Sequence, residues 1–325
     1  LKARKADRLR SAFPAAKRRE SMLEKKTGRI IQAIAGFYYC QTKEGAVFEC
    51  RARGAFRNEE VTPLAGDLAV FETDGQSGVV TQVLKRKNAF TRPPLANLDQ
   101  LFLVAAAKSP APNLLVLDKL VTVCEYKGIE PVLIITKTDL ADGGALQEIY
   151  EGAGFCVFPL SNRTPAHLDE IRAMLSGKIS AFAGNTGVGK STLLNNLFPG
   201  LSLQTADISQ KLGRGRHTTR QVTLYPAGEG GFVADTPGFG TMDLSQYEII
   251  RKEALAECFR EFRPYLNRCR FTGCSHTAEK GCAVREACRS GRISRTRYEN
   301  SCALYEDARQ IKEWEIAKKR PAGRR

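Results

Sequence analysis

Eight consecutive residues, Gly184-Asn185-Thr186-Gly187-Val188-Gly189-Lys190-Ser191, carry the spacing G-x-x-x-x-G-K-[ST]. This pattern closes backbone N–H groups around phosphate oxygens, because glycines allow the backbone to approach them closely. Lys190 is placed to reach the outer phosphates and the Ser191 hydroxyl to hold Mg2+. Thr192 follows in the same stretch and belongs with the candidate nucleotide-binding residues. The flanks suit the motif: 179–183 reads as a short buried strand, and 192–197 as the opening of a helix whose N-terminal dipole favours an anion.

Two further segments narrow the ligand to a guanine nucleotide. Residues 232–238 read as a strand ending in D-x-x-G, with Asp235 expected to hold a water on Mg2+ and the Gly238 amide to sense the γ-phosphate. Thr136-Lys137-Thr138-Asp139 ends another buried strand and resembles the base-reading motif N-K-x-D. Asp139 would accept hydrogen bonds from the guanine N1–H and 2-amino group, a donor pair adenine lacks. Lys137 would lay its stem over the base. Thr136 stands where Asn is usual, so one polar contact to the base edge is expected to differ. Ser161 and Asn162, after the next strand, are candidates for the loop that closes over the guanine O6.

A third constellation points to metal. The chain has ten cysteines, and Cys258, Cys269, Cys274, Cys282 and Cys288 fall within 31 residues. The run Cys269-x4-Cys274-x-His276-x5-Cys282 offers three sulfurs and one nitrogen, a donor set that tetrahedral Zn2+ accepts; four protein ligands make such a site structural. Cys258 and Cys288 are alternative ligands on spacing alone.

The elements that must position these residues divide the chain into four parts. Residues 1–27 are a basic arm, and Met22 is a candidate translation start. Residues 28–93 hold strand-like runs at 29–34, 37–40, 47–52, 68–71 and 78–83, separated by glycines and polar turns. Five short strands predict a small barrel of oligonucleotide-binding (OB) type, although this pattern also fits an SH3-like barrel. Arg51, Arg53 and Arg57 beside Phe56 suggest a basic face with an aromatic. From 94 to 250 apolar strands alternate with helices, predicting a parallel sheet covered on both faces. One of these helices is expected to open at Thr164 as its cap. Residues 251–325 form the metal-binding part, ending in a charged helix from about 296 to 319 and a basic tail.

The net charge of +15 is unevenly spread. Residues 1–26 carry +7 and residues 258–325 carry +9, whereas 27–257 carry −1. A nearly neutral centre with basic ends suits a polyanionic partner. No apolar run approaches the roughly 18–20 residues of a membrane span, and no signal-peptide core is seen, so a cytoplasmic protein is expected. Nothing in the sequence argues for an oligomer.

The order of the motifs is unusual: the base-reading segments at 136 and 161 precede the phosphate loop at 184. One parallel sheet can hold both only if the chain is cut and rejoined, a circular permutation. With Gly215-Arg216-His217-Thr218-Thr219-Arg220 as a switch segment, the chain resembles the bacterial circularly permuted GTPases of the ribosome-small-subunit-dependent GTPase A family (YjeQ/RsgA) over roughly 28–315. The resemblance implies an OB barrel, a permuted GTPase domain and a zinc-binding tail with Cys269, Cys274, His276 and Cys282 as ligands, leaving out Cys258 and Cys288. It implies hydrolysis of GTP to GDP stimulated by the 30S subunit, binding to 16S rRNA and a role in late subunit maturation. Direct contact with other assembly factors stays open.

Hydrolysis requires an oriented water. Phe239, just after D-x-x-G, cannot hydrogen-bond one, so slow intrinsic turnover is expected. His217 is the internal candidate for that role, and Thr218 or Thr219 for completing the Mg2+ shell alongside Ser191 and Asp235. An RNA-binding adaptor that binds GTP but scarcely hydrolyses it is the competing reading, and a phosphate-loop kinase or ATPase, disfavoured by Asp139, is a third.

Overall fold

The computed structural model describes residues 23–53, 62–91, 93–161, 163, 166–199, 222–235 and 249–311. Strands β1 (Glu24–Ile34), β2 (Phe37–Gln41), β3 (Val47–Ala52), β4 (Leu68–Thr73) and β5 (Ser77–Val83) form the first unit. β1 begins at Glu24, ahead of the boundary at 28 drawn from the sequence, because Glu24, Lys25, Lys26 and Thr27 pair with β4 as far as Thr73. Ala35 and Gly36 join β1 to β2 with φ of 49° and 85°, the two left-handed residues of a tight hairpin turn. β1 also pairs with β4, and β3 runs parallel to β5, which closes the five strands into a Greek-key barrel. This is the OB architecture rather than the SH3-like alternative. Alternate inward residues Ile30, Tyr38, Cys40, Cys50, Phe71 and Val80 fill it.

A two-strand clip, β6 (Ala89–Phe90) with β7 (Leu95–Ala96), brackets the prolines of the linker. Then β8 (Gln100–Ala106), α1 (Leu114–Lys127), β9 (Glu130–Thr136), α2 (Gly144–Gly152), β10 (Cys156–Pro159), α3 (Leu168–Leu175), β11 (Ile179–Ala183), α4 (Lys190–Leu197), β12 (Thr223–Pro226) and β13 (Phe232–Asp235) follow. Their spatial order is β10-β9-β8-β11-β13-β12, parallel except for β12. Continuous apolar runs make β8, β9 and β11 buried along almost their whole length, with one core on each face of the sheet. Asn113 caps α1, accepting from Val116 N at 3.2 Å, and Gly128 ends it at φ 66°. The third helix begins at Leu168 with His167 in the cap position; Thr164, the expected cap, lies outside the described residues.

The barrel and this sheet are continuous. β12 pairs with β1 through Gln32 and Thr223, and Gln32 Nε2 donates to Thr223 Oγ1 at 2.9 Å. Neither β12 nor this join was expected from the sequence.

After residue 249 come α5 (Lys252–Leu255), two 3-10 turns (Ala256–Cys258 and Arg260–Tyr265), α6 (Ala283–Arg289) and α7 (Arg295–Gln310). Their apolar residues Leu255, Phe259, Phe262, Val284 and Leu304 join Leu117, Leu120 and Val121 of α1 in one core, so this part packs onto the sheet's helical layer. Arg297 is fully buried at that seam. It donates to Asp118 at 2.6 Å and to Glu261 at 2.7 Å, and Tyr150 and Asn300 donate to the same Asp118 carboxylate. The rings of Tyr150, Phe155 and Phe259 pack against its guanidinium. Nearby, Arg260 bridges Glu125 and Glu130, and Arg263 reaches Glu125.

Candidate nucleotide site and metal centre

The phosphate loop runs from the end of β11 into α4. Gly184 must be glycine, since a Cβ there would lie 2.7 Å from the Val104 carbonyl oxygen of β8. Gly189 caps α4 at φ 91°, a conformation L side chains rarely adopt. Lys190 and Ser191 occupy the first turn of that helix, where free N–H groups and the dipole favour an anion. Asn185, Thr186 and Gly187 form the exposed rim, and Val188 turns inward.

β13 lies beside β11 in parallel and ends at Asp235. Burial pushes the Lys190 ammonium below its usual range and the Asp235 carboxyl above its own, each partly offset by the attraction of the other. Each group is therefore short of countercharge, a condition that a phosphate with its cation relieves.

The base-reading segment follows β9, one strand beyond β8. Thr136 is fully buried, and its hydroxyl engages two backbone carbonyls, Val188 of the phosphate loop and Ala105 of β8 (3.2 Å). This side chain thus ties the base-reading turn to the phosphate loop. Lys137 adopts φ 59° and its Nζ donates to the Ser109 carbonyl. Thr138 sits within the same turn, which the Leu140 N–H closes onto Lys137 O at 2.9 Å. Ser161, buried after β10, donates to Asp139 Oδ1 at 2.9 Å, and Arg163 lies 3.4 Å from Oδ2. Folding therefore gathers residues 136–139, 161 and 184–192 with Asp235 at the carboxyl ends of adjoining strands, where open α/β sheets bind ligands. The residues sequence reasoning missed are Ala105 and Ser109, which act through backbone carbonyls and leave no side-chain signal. Asn162, His217, Thr218, Thr219, Gly238 and Phe239 lie outside the described residues, as do Phe56 and Arg57 of the barrel's expected basic face.

The second constellation also assembles. The ligand atoms of Cys269, Cys274, His276 and Cys282 all lie within 4.8 Å of one another. Cys269 Sγ and Cys282 Sγ are 3.9 Å apart, and each is 3.5 Å from His276 Nδ1. Metal–ligand lengths of about 2.3 Å to sulfur and 2.0 Å to nitrogen would place tetrahedral neighbours about 3.5–3.8 Å apart, so the set fits Zn2+. Backbone N–H groups of Ala283 and Arg285 point at Cys269 Sγ and Cys282 Sγ, an arrangement that favours thiolates. Burial holds the His276 ring neutral to lower pH than usual, the form that ligates. Glu279 braces the loop by accepting from the Ser275 N–H and hydroxyl and from the Thr277 and Ala278 N–H groups.

A GTP-hydrolysing enzyme of circularly permuted order, carrying an OB-type barrel and a Cys3His centre, is the class this fold and site define. The chain matches the RsgA GTPase family over residues 83–245 and the RsgA N-terminal domain over 27–80. It belongs to the RsgA GTPase family. The small ribosomal subunit biogenesis GTPase RsgA of Geobacillus thermodenitrificans is 44% identical over 292 residues, covering 88% of this chain and 98% of that one. Its counterpart in Caldanaerobacter subterraneus is 42% identical over 297 residues, covering 90% and 98%. Among solved structures, YjeQ from Thermotoga maritima superposes with a TM-score of 0.75 at 32% identity, covering 89% of this chain and all of that one. YloQ, described as a circularly permuted GTPase, does so at 0.74 and 31%, covering 93% and 99%. No helix among the described residues is long and apolar enough to cross a membrane.

Proposed function

We propose that this chain works in late maturation of the small ribosomal subunit. It binds the 30S particle and its 16S rRNA in the cytoplasm as a monomer, and hydrolyses GTP to GDP and phosphate faster when bound there. The observation that carries this reading is the near-full-length match to proteins named as small ribosomal subunit biogenesis GTPases, on a chain whose excess positive charge lies at its two ends. The continuity of β1 with β12 adds a physical reason for coupling, because the barrel shares a sheet with the strand that flanks Asp235.

In this reading the loop from Gly184 to Thr192 cradles the phosphates and Lys190 pairs with the outer ones. Asp139, oriented by Ser161, reads the guanine edge. Ser191, Asp235 and one of Thr218 and Thr219 hold Mg2+, which supplies charge neutralisation on the phosphates when bound. Cys269, Cys274, His276 and Cys282 hold one structural Zn2+. His217 orients the attacking water, since Phe239 cannot.

The test is steady-state GTP hydrolysis alone, with purified 30S subunits and with 50S subunits as control. Stimulation by 30S alone is expected, and its loss in His217→Ala. Equal turnover in all three conditions would overturn the subunit-dependent reading while leaving the enzyme class intact.

A further inference from the structure

Between the metal ligands Cys269 and Cys274 the chain presents an aromatic ring to solvent. Phe271 is 51% exposed. Its loop is held at both ends by the ligand cluster and by Arg270 N, which donates to Gly281 O at 3.0 Å. The guanidinium of Arg270 lies 5.6 Å from the ring centroid. Beside the ring opens a cleft of about 590 Å3, lined in part by Phe271, Thr272, Tyr305 and Lys252 and by the acidic residues Glu253 and Glu257.

The cations of this unit fall into two groups. Arg260, Arg263, Arg289, Arg295, Arg297 and Arg309 each have a carboxylate partner. Arg268, Arg270 and Lys280, all on or beside the Cys269–Cys282 loop, are exposed and, among the described residues, lie in no ion pair; Arg251, Arg285 and Arg292, elsewhere in the unit, likewise lie in none. An exposed aromatic ring with Arg270 against it, on a loop that carries exposed unpaired cations, matches the chemistry of single-stranded nucleic acid, where bases stack on aromatic rings and phosphates meet basic side chains.

We propose that Phe271 is a stacking platform for an unpaired RNA base, with Arg268, Arg270 and Lys280 contacting the adjoining phosphates. This rests on the reading of the protein as an rRNA-binding GTPase. The occupant is RNA rather than an apolar protein segment, because Arg270 lies against the ring and, with Arg268 and Lys280 of the same loop, is exposed and in no ion pair among the described residues.

The test compares the full-length, zinc-loaded protein with Phe271→Ala, Phe271→Trp and Arg270→Ala. Fluorescence anisotropy would follow binding to a labelled single-stranded RNA oligonucleotide and to an RNA duplex of the same length. Phe271→Ala is expected to weaken single-strand binding about five- to hundred-fold with little change for the duplex, and Phe271→Trp to bind as wild type. The dependence of log K on log salt should be unchanged in Phe271→Ala and shallower by about one phosphate contact in Arg270→Ala. Single-strand binding by Phe271→Ala equal to wild type, or an equal loss on the duplex, would overturn the proposal. Weaker co-sedimentation of Phe271→Ala with 30S subunits but normal oligonucleotide binding would also overturn it, assigning the ring to a protein contact. A wild-type chain that binds neither RNA nor 30S subunits would sink the rRNA reading itself, a result distinct from failure of Phe271 alone.

Discussion

Thr136 and Val188 meet across the nucleotide site: the buried hydroxyl of the base-reading segment donates to the carbonyl of the phosphate loop. At the sequence level Thr136 reads as an altered base contact. In the fold it joins two loops 52 residues apart.

Thr136→Val should therefore leave a buried carbonyl without its donor, costing about 1–3 kcal/mol of stability and weakening GDP and GTP together. Thr136→Ser keeps the hydroxyl and should recover most of both. Thermal melts and calorimetric nucleotide titration give the readout. Wild-type behaviour in the valine variant would show that the two loops hold their places without this bond.

Asp139→Asn replaces a carboxylate that accepts from guanine with an amide that also donates. GTP affinity should fall by about a hundredfold or more, with a gain for the xanthine nucleotide, whose 2-position accepts. Competition between the two triphosphates measures this. Loss of affinity for both alike would mean that Asp139 organises the loop rather than reads the base.

Arg297→Met strands the buried carboxylates of Asp118 and Glu261 and should cost about 3–5 kcal/mol. The loss should fall on the nucleotide domain as well as the C-terminal part, because Asp118 belongs to α1. Denaturant unfolding of Arg297→Met, Asp118→Leu and the double variant should give a double loss well below the sum. Simple additivity would argue against a direct pair.

Removing Zn2+ with a chelator should unfold the loop from Cys269 to Cys282 and loosen α6, whose N-cap is Cys282, since small metal-held segments rarely keep a core alone. Hydrogen exchange before and after chelation tests this, with β8 and β9 as internal controls expected to stay protected. Protection of residues 269–289 that survives full metal loss would show that packing alone suffices.

The parts legible in the sequence are those whose chemistry is local. Residues 184–191 stand out as a phosphate-loop pattern because the backbone conformations at Gly187 and Gly189 need glycine, and Cys269 to Cys282 stand out as a candidate metal site because all four donors lie within one short loop. Strand periodicity likewise predicted the barrel and the parallel sheet, and the order of the motifs predicted the permutation. Tertiary structure alone decided the rest, because it depends on partners distant in the chain. Nothing near Gln32 announces Thr223, and nothing in α1 announces that Asp118 will be neutralised by Arg297, 179 residues away. A backbone carbonyl such as Val188 O carries no residue identity, so its pairing with Thr136 appears only once β9 and β11 lie on either side of β8. Sequence sets which groups are available; burial and long-range pairing decide which of them meet.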